Sequence, residues 1–169
     1  MTDSASPPTE PKAGRPRMPS GYGIKAPTEG AGFLPWSFVT SRMGAARNYW
    51  ICTTSPDGSP HAAPVWGIWH NGKFYFSTDR ESRKSRNLAA RSAILVHLES
   101  GDEVVVTEGH AEPLTDGPLL DELDHLYFRK YTFHLKGHPT YGVIPTKVFA
   151  WSESSFPDTA TRWRFRESG

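Results

Sequence analysis

The chain has 169 residues, a formal net charge of +1 and a single cysteine. That length suits one domain plus a tail and a core that needs no staples. The near-neutral charge excludes a protein-wide field for nucleic acid or membrane, so any anion site must be a local cluster. Cys52 alone excludes an intrachain disulfide and a thiolate metal cluster. No apolar run is long enough to cross a bilayer as a helix, and the N-terminus lacks the order of a secretory signal, so a cytoplasmic location is expected.

Residues 1–30 hold six of the fifteen prolines and almost no large aliphatic side chain. Such a stretch is expected to be a flexible Pro-rich tail, which leaves 31–169 as the folded domain. Trp36, Val39, Met43 and Ala46 recur at helical spacing behind Pro35 and predict an N-terminal helix. Residues 49–54 read as a strand closed by the turn Pro56-Asp57-Gly58. Residues 61–70 and 73–78 flank Asn71-Gly72, a dipeptide that permits the positive φ of a tight hairpin. Pro64 cannot donate to a ladder and predicts a bulge or an edge.

A short helix is expected over 82–90, capped by Asp79 or Ser82. Strands follow at 93–99 and 103–111. A further helix opens at Thr115 or Asp116 and carries Leu119, Leu120, Leu123, Leu126 or Tyr127, and Phe128. Residues 132–142 read as an irregular loop, and 143–151 and 161–165 as the last strands. Seven or so short strands without βαβ alternation predict a mainly β, antiparallel small barrel with one N-terminal helix and two short connecting helices.

The run Arg80 to Arg91 holds five positive side chains and one negative at the start of a predicted helix. A cationic first turn opposes the helix macrodipole. Two readings stay open on spacing alone. One is a solvated basic face; the other is a bound anion that meets free N–H groups of the first turn. Ser77, Thr78 and Ser82 would add hydroxyl donors, and Arg83 and Lys84 charge-assisted ones. The seven histidines lack metal-ligand spacing, and His97, among Ile94, Leu95, Val96 and Leu98, reads as a core or interface residue. Nucleophile-elbow and P-loop patterns are absent.

Phe74-Tyr75-Phe76-Ser77-Thr78, then Ser82-Arg83-Lys84 and Asn87-Leu88, then Thr107-Glu108-Gly109, resemble the pyridoxamine-phosphate-oxidase-like family. The likeness extends from Thr54-Ser55-Pro56-Asp57-Gly58-Ser59-Pro60-His61 and Pro64-Val65-Trp66 to Pro145-Thr146-Lys147-Val148-Phe149 and Thr161-Arg162-Trp163-Arg164-Phe165. That family includes oxidoreductases that use FMN or the deazaflavin coenzyme F-420. The resemblance implies an FMN-binding-like split β-barrel that forms a homodimer with cofactor sites at the interface. It also implies that Ser77, Thr78, Ser82, Arg83 and Lys84, with Arg86 and Asn87, hold the cofactor phosphate. Pro64, Val65 and Trp66 would run along the ring edge through their backbone, and Trp151, Arg162 and Trp163 would close the site. Ala63 and Val104 stand where true pyridoxamine-phosphate oxidases carry arginine and glutamine, so vitamin B6 oxidation is not expected. The expected activity is transfer of a hydride or electron pair between FMN or coenzyme F-420 and a small organic substrate. No catalytic side chain is assigned, because the cofactor does the difficult chemistry; Tyr141 or His138 would be the proton donor if the loop before Val143 overhung the ring. The alternative is a carrier or sensor of the same fold that binds flavin, deazaflavin or haem without turnover.

Overall fold

In a computed structural model of the chain, residues 10–29 and 32–165 are described. Nine strands and four helices follow in order: β1 (Lys12–Gly14), α1 (Trp36–Ala45), β2 (Tyr49–Thr54), β3 (Pro60–Val65), β4 (Gly67–His70), β5 (Lys73–Ser77), α2 (Arg83–Ala90), β6 (Ala93–His97), β7 (Glu103–Leu114), α3 (Pro118–Tyr131), β8 (Thr140–Ser152), α4 (Phe156–Thr159) and β9 (Thr161–Arg164). The strands form one antiparallel sheet in the order β1-β9-β8-β7-β6-β2-β3, with β5 joining β4 to β8. The 13-residue β8 lies along the whole of β7, and its other edge takes β5 at Thr140–Val143 and β9 at Lys147–Ala150. The sheet thereby curls into the expected split β-barrel.

Alternation sorts the side chains. Tyr49, Ile51 and Thr53 of β2 point inward and are buried, while Trp50, Cys52 and Thr54 point out. The interior is filled by Tyr49, Ile51, Phe74, Phe76, Val96, Val105, Val143, Val148 and Trp163, with Val39 and Met43 of α1 packed against them. A second cluster lies outside the barrel, where α3 places Leu120, Leu123, Tyr127 and Tyr131 over Ile68 and Tyr75. Each such side chain removed from water contributes about 1.5–3 kcal/mol.

The hairpin at Asn71-Gly72 is present, with φ of 48° and 76° at the two residues. The stretch 61–70 is not one strand: it divides at Trp66, so that β3 pairs with β2 and β4 pairs with β5. Pro64 accordingly sits in an end strand of the sheet path. The 132–142 loop is shorter than expected, because β8 begins at Thr140. The helix expected from Thr115 or Asp116 has Gly117 at its cap and Pro118 in its first turn.

The described part of 1–30 lies against the barrel. Lys12–Gly14 adds to β9, Arg15 donates to the Ala160 carbonyl at 2.8 Å, and Lys25 pairs with Asp158 at 2.7 Å. Composition hides such a strand, since its backbone pairing is supplied by β9 and needs no apolar side chains. Residues 1–9 and 30 of the expected tail lie outside the described residues. No described helix is long and apolar enough to cross a membrane.

Candidate anion and cofactor site

The strand-to-helix turn after β5 is fixed by its own hydroxyls. Ser82 has extended backbone (φ −63°, ψ 150°) and caps α2, its Oγ accepting from the Ser85 N–H at 3.2 Å. Thr78 Oγ1 lies 3.0 Å from Ser82 Oγ, and the Thr78 N–H donates to the Pro139 carbonyl at 3.1 Å. Buried Asn87 donates from Nδ2 to Thr53 Oγ1 at 3.0 Å, which pins α2 onto β2. The Ser85 hydroxyl meets the Tyr141 hydroxyl at 3.0 Å on the other side of the helix. With the cap spending the Ser85 N–H and the Ser82 carbonyl taking that of Arg86, the backbone N–H groups of Arg83 and Lys84 stay at the open end.

Two cations flank that opening. Arg83 is exposed and donates from Nε and Nη2 to Ser55 Oγ at 3.3 and 3.2 Å. No carboxylate pairs with Arg83 or Lys84 among the described residues, and the first turn of α2 carries no acid. Against the macrodipole this concentration of positive charge is a cost, and an oxyanion there would offset it.

His61 completes the cluster, and no role is assigned to it from the sequence. It stands opposite Thr53 across the β2–β3 ladder, is partly buried, and has a shielded Nδ1 with no partner among the described residues. Burial pushes its imidazole below the usual histidine range, and the charges of Arg83 and Lys84 push it the same way. The available signal was the period-2 pattern of β3, in which His61 shares the inward side with Ala63 and Val65.

The expected site residues divide. Thr78, Ser82, Arg83 and Lys84 lie at one turn, and Ser77 ends β5 just before it. Asn87 is 3% exposed and holds the helix rather than facing a ligand. Arg86 turns away to the Glu81 carbonyl at 2.6 Å. Pro64, farther along β3, and Trp66, just past its end, are exposed, while the Val65 side chain is in the core, so that residue can offer only its backbone. At about 3.3 Å per residue, Trp66 lies about 16 Å along the chain from His61. A shallow cavity of about 290 Å³ lined by Asn48, Pro64, Val65 and Trp66 opens there. The exposed Trp66 ring stacks on Tyr131 with centroids 4.8 Å apart.

Trp151, Arg162 and Trp163 do not join this group within the chain. They lie on β8 and β9, and β7, β6 and β2 intervene before β3. Trp163 is 1% exposed and packs edge-on against Trp36 in the barrel interior, so its ring closes no site. Tyr141 is a strand residue whose hydroxyl meets that of Ser85 and which lines a cavity with Arg80, Ser85 and Arg86, while His138 packs against Phe133.

A family model described as pyridoxamine 5'-phosphate oxidase matches residues 43–153. No curated protein sequence matches the chain. Among solved structures, the conserved hypothetical protein Rv2991 from Mycobacterium tuberculosis is similar at a TM-score of 0.64, with 20% identity over 70% of this chain and 85% of that one. A structure named as an F-420 reductase is similar at 0.53, with 18% identity over 64% and 93%. The haem storage protein HutZ from Vibrio cholerae is similar at 0.56, with 11% identity over 63% and 87%. At such identities the likeness is one of fold.

Proposed function

The chain belongs to the pyridoxamine 5'-phosphate oxidase family, and on that premise we propose that it binds FMN or coenzyme F-420 and transfers a hydride or electron pair between that cofactor and a small organic substrate. The observation that carries this reading is the pair Arg83 and Lys84 at the capped end of α2, without a carboxylate among the described residues. The orphaned Nδ1 of His61 beside them fits the same conclusion. Both point to a phosphate, the part FMN and coenzyme F-420 share.

The cofactor supplies the redox chemistry, and this chain supplies position and electrostatics. Arg83 and Lys84 neutralise the phosphate. Ser82 and Thr78 hold the turn so that the Arg83 and Lys84 N–H groups face it. The backbone of Pro64 to Trp66 lies where the ring of an extended ligand would reach, and the stacked Trp66–Tyr131 pair forms a rigid wall beside it. Neither Ala63 nor Val104 offers the polar side chain expected of a B6 oxidase, so the substrate is not a pyridoxamine phosphate.

The site is open on one chain, and a homodimer would close it. The outward face carries Trp50, Pro64 and His97 in one cross-strand row and Cys52, Ala62 and Leu95 in the next. A second copy seated on these mostly apolar rows would bury them and bring its own side chains to the cofactor.

Titration of the purified protein with FMN and with coenzyme F-420, followed by absorbance, tests the reading. Saturable binding of one of them at micromolar concentration is expected, with Lys84→Ala weakening it strongly. No binding of either overturns it. Turnover with enones or quinones then separates an oxidoreductase from a carrier, and haem titration tests the role that HutZ's name assigns to that protein.

A further inference from the structure

An imidazole and two cations meet at the open end of α2. His61 stands opposite Thr53 across the β2–β3 ladder, and Thr53 accepts from Asn87 of α2, which sets the imidazole near the helix that carries Arg83 and Lys84. Its Nδ1 is shielded from water and meets no protein partner among the described residues. A shielded ring nitrogen without a partner is costly in a finished protein, so a ligand atom is the natural complement.

The charged groups of α2 beside it are cationic, and one carboxylate, Asp57, lies on the adjoining turn. From α2 come Arg83 and Lys84; Arg86 is turned to the Glu81 carbonyl, and Arg91 at the far end donates to the Pro56 carbonyl at 3.3 Å. Thr53 of β2 and Ser55 just after it are neutral. From the β2–β3 turn, the Asp57 carboxylate is engaged by the Ser59 N–H at 3.0 Å and is held low first by that contact and more weakly by Arg83. With nothing bound, burial and then the charges of Arg83 and Lys84 both disfavour the imidazolium. An oxyanion between the three reverses the local field and favours the imidazolium.

Resting on the phosphate reading above, we propose that His61 is a proton-linked ligand of the cofactor phosphate: binding draws one proton from solvent onto the imidazole, which then donates to a phosphate oxygen. The bound state gains one proton and one charge-assisted hydrogen bond, and no other bond changes. Cofactor affinity then rises as pH falls through the histidine range. The grip also discriminates by charge. A terminal phosphate monoester, as in FMN, carries up to two negative charges for the three cations, whereas the internal diester of coenzyme F-420 carries one.

The test is the titration of His61 in the full-length chain by histidine ring NMR, with the signal assigned by its loss in His61→Gln. Sulfate serves as one probe because it keeps its charge across the range, and FMN as the other. We expect the His61 pKa to rise by about one unit or more with either anion. FMN affinity should increase about twofold to fivefold from about pH 8.5 to about pH 6.5, and riboflavin, which lacks the phosphate, should show no such slope. His61→Gln should flatten the FMN slope. A His61 pKa unmoved by sulfate and FMN, or an equal slope in His61→Gln, overturns the proposal. Failure of FMN and coenzyme F-420 to bind overturns the functional reading alone, and the sulfate titration still decides on His61.

Discussion

The two ends of β3 treat charge in opposite ways. At the His61 end, Arg83 meets only the Ser55 hydroxyl, and no carboxylate pairs with Lys84 among the described residues. Just beyond the Trp66 end, Lys130 donates to the Tyr49 hydroxyl and the Gly67 carbonyl, both at 3.0 Å, and sits over the Tyr49 and Tyr131 rings. Tyr131 likewise accepts from the Gly67 N–H at 3.0 Å and donates to the Arg47 carbonyl at 2.7 Å. Polar groups at the α3 end are consumed by the fold; those at the α2 end are left over. Charge left over is what a ligand uses, and charge consumed is what stability uses.

This contrast breaks most visibly if the Arg83→Ala, Lys84→Ala double variant still binds. Loss of two charge-assisted contacts should lower FMN or coenzyme F-420 affinity about a hundredfold or more, read by absorbance titration. Its thermal midpoint should stay near that of the parent, because neither side chain supports the core. Tyr131→Phe should do the reverse. It strips the Gly67 N–H of its acceptor and should cost about 1–3 kcal/mol in urea unfolding, with cofactor affinity preserved. An unchanged unfolding midpoint would show that Tyr131 only fills space.

A pH series sharpens the α3 side. Burial, with a smaller push from Arg47, lowers the Lys130 ammonium to about 8. Between about pH 8 and about pH 10 the unfolded chain therefore holds a proton on Lys130 that the folded chain has released. Stability contributed by this group rises with pH across that window. Lys130→Met should remove the rise when the two proteins are unfolded in parallel; an identical slope would place the titration elsewhere. The smallest effect belongs to Arg86→Gln. Its guanidinium is committed to the Glu81 carbonyl, so cofactor affinity should change less than about twofold.

Much of this was legible in the sequence. The aromatic and valine spacing of α1, the Asn71-Gly72 turn and the Ser82 cap are local signals, and each element stands where its residues put it. What escaped depends on distant partners. β1 exists because β9 offers it an edge. The break at Trp66 exists because Gly67 must lie against the Phe74 ring: a Cβ there would stand 2.3 Å from ring carbons. The reading of Trp163 as a site residue came from motif likeness. Period-2 alternation alone would have set Thr161 and Trp163 inside and Arg162 and Arg164 outside. His61 ends one of the family-like motifs but takes no role from the sequence, because its place beside α2 appears only once the β2–β3 register is known.

The placement of β3 at the end of the sheet path has a consequence for the chain's behaviour in a crowded solution. An end strand is a template on which another chain can grow a ladder. Residues 60, 62 and 64 of β3 would offer one amide hydrogen each, but two of the three are prolines, and only Ala62 keeps its own. Two missing donors interrupt any ladder that an incoming strand would extend. The prolines thus let this edge stay uncovered for a ligand without becoming a seed for fibrous polymerisation.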